Sequence, residues 1–398
     1  MLRPYLKILS QPGAAAFSLS GIFARLPISM LGLSIILMIS QLYGAYGTAG
    51  RVAAVFIAVQ AICSPQIAKL VDRHGQARIM RPAIIAHLAG LVIIMTAVWF
   101  HIPEWGLYFA TLPAGATMGA MGAMVRARWI YVLDDPRDVH VAYSLESVFD
   151  ELTFIIGPVL ATVLSTTVFP GAGIVAAGLA LGVGGFVLLS QNATEPPSSR
   201  ESQSASGSVM GSLKMIITVG VFLLLGALLG SSDVSTVAFT EEHGVESYSG
   251  LVLAVFAAGS LMGGLIYGSR QWIKPVDDRF FYGVIALAIG VAPFSFIPSV
   301  PILVPVMLVA GFAIAPTLIA GNALVQEIVP SGRLTEGLTW VGTAIGVGVA
   351  LGSSVAGSMI DVFGARGGFL VTFGSGIVAV TITVIFHRSL KIAPTDGV

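Results

Sequence analysis

Glu146-Ser147-Val148-Phe149-Asp150-Glu151-Leu152-Thr153-Phe154-Ile155-Ile156-Gly157-Pro158 opens an apolar run that continues to Thr166. Three carboxylates stand where the chain otherwise reads as a membrane-spanning helix. Ionisable groups inside a bilayer are costly and face a cavity or a partner. Glu146, Asp150, Thr153 and Gly157 follow the i, i+4, i+7, i+11 spacing of one helix face, with Ser147, Glu151 and Pro158 on an adjoining face. A helix starting near Val141 places Asp150 roughly 14 Å deep at ~1.5 Å per residue, close to the middle of a hydrocarbon core about 30 Å thick.

The rest of the chain agrees with a membrane setting. Of 398 residues, 56% are apolar and only 10% are charged, against ~25% charged in ordinary soluble domains. The formal net charge is zero, which gives no support to a nucleic-acid partner. Cys63 is the only cysteine, so disulfides within the chain and cysteine-based metal clusters are excluded. The histidines are scattered, and no metal or other cofactor is expected. Arg3 and Lys7 precede an apolar run too long for a signal peptide, which reads as the first span.

Twelve segments are long and apolar enough to span: 14–42, 49–70, 82–101, 106–125, 141–166, 171–190, 213–238, 248–268, 280–298, 301–326, 335–360 and 366–387. Small residues such as Gly115, Gly119 and Gly122 suit close helix packing. With a cytoplasmic N-terminus, only Arg51 and Arg366 fall outside, Arg25 lies within the first span, and every other one of the 20 Lys and Arg residues falls inside. The positive-inside rule therefore predicts an even number of spans and two cytoplasmic termini in a cytoplasmic (inner) membrane. Gln191 to Ser212 is polar and rich in Ser, Pro and Gly, and reads as a linker. The expected organisation is an all-α polytopic protein with a six-helix half over 1–190, a cytoplasmic linker over 191–212 and a second six-helix half over 213–398. Two halves around a central site is a common transporter plan.

A family resemblance is carried by Ala68-Lys69-Leu70-Val71-Asp72-Arg73-His74-Gly75-Gln76-Ala77-Arg78, which follows the second span. It resembles the G-x-x-x-D-R-x-G-R-R signature of the major facilitator superfamily. Asp72, Arg73 and Gly75 match; Ala68 replaces the first Gly, Gln76 and Ala77 replace basic positions, and Arg78 stands in for one of them. After the eighth span, Gly264-Leu265-Ile266-Tyr267-Gly268-Ser269-Arg270 keeps the first Gly and has Gly268 in place of Asp. Gly157-Pro158 is similar to the Gly-Pro pair of the superfamily's antiporter signature, whose flanking glycines are absent. The resemblance implies a twelve-helix transporter fold and a cytoplasmic gating role for Asp72, Arg73, Gly75 and Arg78. Asp72 is suited to pair with Arg73, Arg126 or Arg128, or to cap a helix.

Arg25 lies about eleven residues into the first span, before Pro27, and an arginine at that depth needs an anion. The resemblance makes the first and fifth spans neighbours, so Arg25 is expected to pair with Asp150 or Glu151. The pair reads as a proton site, a substrate-anion site or a structural ion pair. Asp233, late in the seventh span, reads as a cavity acid or an external cap. Asn322 and Trp340 are candidate cavity residues, Glu327 is placed to meet Arg333, and Trp99 and Trp105 flank an external turn. Phosphate-loop, G-x-S-x-G and H-E-x-x-H patterns are missing, so neither ATP-driven transport nor enzymatic chemistry is expected. A channel would call for repeated polar rings.

These readings converge on a monomeric secondary transporter that moves a small solute by alternating access and is coupled to protons. Arg25, Glu146, Asp150, Glu151 and Asp233 are its coupling and cavity set. Efflux of small amphipathic compounds is slightly favoured, because the cavity set is poor in hydrogen-bonding groups. Import of a small organic anion held by Arg25 is the alternative, and a sensor on the same helical bundle is the third.

Overall fold

The computed structural model describes residues 3–44, 46–198, 208–245, 248–270 and 272–387. Positions 199–207 of the expected linker, with Arg200, Arg388 and Lys391, lie outside the described residues. No strand occurs among the described residues. The helices are α1 (Arg3–Leu9), α2 (Ala14–Tyr43), α3 (Tyr46–His74), α4 (Gln76–Trp99), α5 (Glu104–Thr117), α6 (Met121–Val132), α7 (Pro136–Thr167) and α8 (Ala172–Ser190). They continue as α9 (Leu213–Glu242), α10 (Ser249–Gly268), α11 (Val276–Val291), α12 (Val300–Gly311), α13 (Ile314–Ile328) and α14 (Leu334–Ile385). The chain forms two compact units. One is Tyr5–Val139 with Phe149–Ala205; the other is Met1–Pro4, His140–Val148 and Ser206–Val398.

Ten helical segments among the described residues are long and apolar enough to cross a membrane. Two departures from regular helix account for the difference from the twelve expected segments. The fourth expected span is divided into α5 and α6, because Met118 is extended (φ −74°, ψ 109°). A broken helix persists at membrane depth only where the freed backbone groups find partners. Here His87 Nδ1–H donates to the Ala114 carbonyl at 2.8 Å. The eleventh and twelfth expected spans lie in α14, which is interrupted by Gly364 at φ 69°, ψ −170°.

Two chain reversals use the same device. Gly75 alone separates α3 from α4, at φ 95°, a region that side-chain-bearing residues rarely adopt. The amide of Ala77, in the first turn of α4, then donates to Glu195 Oε1 at 3.0 Å. After Gly364 the amide of Ala365 donates to Glu242 Oε1 at 2.6 Å. In each case a glutamate from another part of the same unit satisfies an orphan donor at a helix start.

Packing in the second unit depends on small residues. A Cβ on Gly226 would run into the Ile345 carbonyl, one on Gly230 into that of Val349, one on Gly348 into that of Leu223, and one on Gly352 into that of Ala227. Four glycines, paired i, i+4 on each helix, thus let α9 and α14 touch backbone to backbone. The start of α7 packs in this unit too: Ser144 Oγ donates to the Gly264 carbonyl at 2.5 Å, and His140 Nε2–H to that of Tyr267 at 3.2 Å. Large apolar side chains elsewhere face outward, among them Ile85, Val92, Phe109, Ile289 and Val309. Such a surface suits a hydrocarbon surround.

Candidate functional site

Three helices of the first unit build a charge cluster. α2 supplies Arg25, α6 supplies Arg126 and α7 supplies Asp150. Arg25 Nη1 lies 2.7 Å from Asp150 Oδ1, and Arg126 Nη2 lies 2.6 Å from Asp150 Oδ2. Each carboxylate oxygen therefore receives one guanidinium, a short charge-assisted geometry. The arginine side chains are 5% and 9% exposed, and that of Asp150 is 31% exposed. The carboxylate is thus the more open side of the cluster.

The local sequence explains why these groups meet. Arg25 is anchored by its Nε–H, which donates to the Gly21 carbonyl at 3.0 Å. A Cβ on Gly122 would press on both guanidinium side chains, 3.3 Å from Arg25 Cδ and 3.3 Å from Arg126 Nη1, so a small residue there leaves room for them. Below Asp150 the same face of α7 lies along α2. Ser29 Oγ donates to the Thr153 carbonyl at 3.0 Å, and Gly157 abuts Ser29. The spacing of Asp150, Thr153 and Gly157 is thus the seam between α7 and α2.

The remaining candidates are dispersed. Glu146 is fully buried one turn before Asp150, and Glu151 is half-buried. Asp233 is exposed on α9. Asn322 on α13 and Trp340 on α14 are half-buried. Because Gly226 abuts Ile345 and Gly230 abuts Val349, Trp340 is level with about residue 221 of α9, ~18 Å along the axis from Asp233. Asp72 and Arg73 are half-buried in the last turn of α3, which runs on to His74, and Arg78 is exposed in the first turn of α4.

Some pairings differ from expectation. Arg126 and Arg128, offered as partners of Asp72, bind elsewhere. Arg126 is on Asp150; Arg128 donates to Gln76 Oε1, the Gln191 carbonyl and Thr194 Oγ1, each at 2.8 Å. Glu327 does not meet Arg333, which pairs with Glu336 at 2.7 Å, one helical turn away. Glu336 Oε1 also accepts from Ser208 Oγ at 2.9 Å and the Val209 amide at 3.2 Å, tying down the segment before α9. Arg126 is the residue that sequence reasoning left out of the site. It follows the last residue of the fourth apolar run, and the break at Met118 that carries the helix on to Val132 leaves no trace in hydropathy.

The profile of the Major Facilitator Superfamily matches residues 17–274 and 235–395. The chain belongs to the major facilitator superfamily. Solved structures of superfamily transporters share its fold at low identity. A bacterial homologue of the iron transporter ferroportin, in an outward-facing state, is 14% identical with a TM-score of 0.73, over 94% of this chain and 99% of that one. The human organic anion transporter MFSD10 is 15% identical with a TM-score of 0.69, over 93% and 98%. The E. coli fucose:proton symporter is 13% identical with a TM-score of 0.70, over 96% and 99%. No curated protein matches the sequence. Membership makes this a multi-pass membrane transporter with a small-molecule substrate; the cargoes of these neighbours differ from one another and name none for this chain.

Proposed function

We propose that the protein is a proton-coupled secondary transporter working by alternating access, with the Arg25–Asp150–Arg126 cluster as its coupling site. The observation that carries this reading is one partly exposed carboxylate shared by two buried arginines from different helices. The two guanidiniums hold Asp150 charged in this arrangement, so the proton enters as α2 or α6 withdraws its arginine; protonated Asp150 then no longer draws the three helices together, and deprotonation brings them back. Asp72, Arg73, Gly75 and Arg78 act as the cytoplasmic gating segment, and Glu146 and Glu151 tune the coupling site. The two six-helix halves, 1–190 and 213–398, joined by the 191–212 linker, move about this site in the cytoplasmic membrane with both termini inside.

Export of a small amphipathic compound is the favoured direction, since few hydrogen-bonding side chains accompany the charges. Uptake of a small organic anion is the second reading, favoured by the second buried arginine beside Asp150. Proteoliposomes with an imposed pH gradient distinguish them: acid on the side opposite the substrate drives exchange in the export case, and acid on the same side drives uptake in the import case. Equal transport with and without the gradient refutes proton coupling.

A further inference from the structure

Asp233 differs from the other acids of the described helices that hold no hydrogen bond or ion pair by its depth, since Asp277, Glu241 and Glu327 lie within two residues of a helix end and Asp361 just before the break at Gly364. Asp150, Glu104, Glu242 and Glu336 each hold a named partner. Asp233 makes no hydrogen bond or ion pair among the described residues, and no charged neighbour acts on it. It stands well inside α9, ~14 Å along the axis from the last residue of that helix at 1.5 Å per residue. Its neighbours Ser231, Ser232, Ser235 and Thr236 are fully buried, whereas Asp233 is exposed.

Ionisable groups at such a depth face a cavity or a partner rather than lipid, and for Asp233, which holds no partner, that rule points to a cavity. The face it occupies is otherwise apolar: Val237, one turn on, is exposed, and Val234 and Ala238 are half-buried. One negative charge on an apolar face of a cavity complements a ligand with an apolar body and one positive centre. The partner missing from the protein is then supplied by the cargo. We infer that Asp233 is the subsite for the cationic centre of the substrate, and that the substrate class is the lipophilic organic cation, a protonated amine or an onium ion. The inference rests on the transporter reading only for the presence of a substrate path along α9, and it does not need Asp150 to be the coupling acid.

The probes are tetraphenylphosphonium and tetraphenylborate, which share size and shape and differ in sign. Their binding to the full-length purified protein is measured by calorimetry. The wild type should bind the phosphonium at least about tenfold more tightly than the borate, a gap of ~1.4 kcal/mol. Asp233→Asn, which is the same size, should abolish that preference; Asp233→Glu should retain it, and Glu241→Gln, at an exposed acid in the last turn of the same helix, should leave it in place. Both Asp233 variants should elute as the wild type does in size-exclusion chromatography. No preference in the wild type, or a preference that survives Asp233→Asn, overturns the proposal. Failure of pH-driven transport with the preference intact counts against the coupling reading and supports the subsite.

Discussion

Replacing Asp150 by Asn leaves the buried guanidinium of Arg126 without the carboxylate that it contacts at 2.6 Å. Breaking a fully buried ion pair from one side costs about 3–5 kcal/mol. Asp150 is 31% exposed, so water offsets part of the loss, and we expect ~2–3 kcal/mol. Arg126→Gln should cost less, because Asp150 keeps Arg25 at 2.7 Å. The double variant should be no less stable than Asp150→Asn alone, since the same contact is lost in both, giving a coupling of about 1–3 kcal/mol. Thermal unfolding of the detergent-solubilised single and double variants measures this, as shifts of several degrees relative to the wild type. Additive shifts, with the double variant falling by the sum of the singles, would refute the idea that the two residues act on each other.

Two further outcomes follow from other parts of the chain. Glu104 lies outside the membrane-spanning segments, and hydrogen bonds from Arg51 first, then Tyr108, hold its carboxyl down to about 2. A depressed folded-state value contributes stability that is full above the unfolded value of ~4.3 and is lost as pH falls through about 2. Glu104→Gln should therefore flatten the acid limb of the stability profile between those values; superimposable wild-type and variant limbs contradict this. In a Cys63→Ser background, cysteines at Ser198 and Ser212 should resist an impermeant thiol reagent added to intact cells, and labelling from outside at either position reverses the assigned orientation.

Hydropathy and charge placement made the helical membrane class legible, because a span must bury its own backbone polar groups and the surrounding lipid selects apolar side chains. The same physics concealed the breaks. Met118, Gly119 and Ala120 look no different in hydropathy from a continuous helix, and the partner that stabilises the break is His87, in another helix. Gly364 is one of many glycines, and its positive φ is set by the tight reversal capped from Glu242. Asp150 and Arg25 were visible as charges in apolar runs. Arg126 was not, since a charge at the end of a run reads as the start of a loop. Its signal was Gly122, one turn earlier, whose missing side chain makes space for both arginines. Glu336 carries no signal of its own in the sequence; its contacts with Arg333, Ser208 and Val209 depend on tertiary structure.

The most direct test of the coupling claim compares two transport modes of one variant in proteoliposomes. Asp150→Asn mimics the protonated acid permanently, so substrate exchange down equal concentrations should continue while accumulation driven by a pH gradient is lost. Arg126→Gln should weaken driven accumulation and leave exchange in place. Full pH-driven accumulation by the Asp150→Asn protein would contradict the account and reduce the Arg25–Asp150–Arg126 cluster to a structural brace.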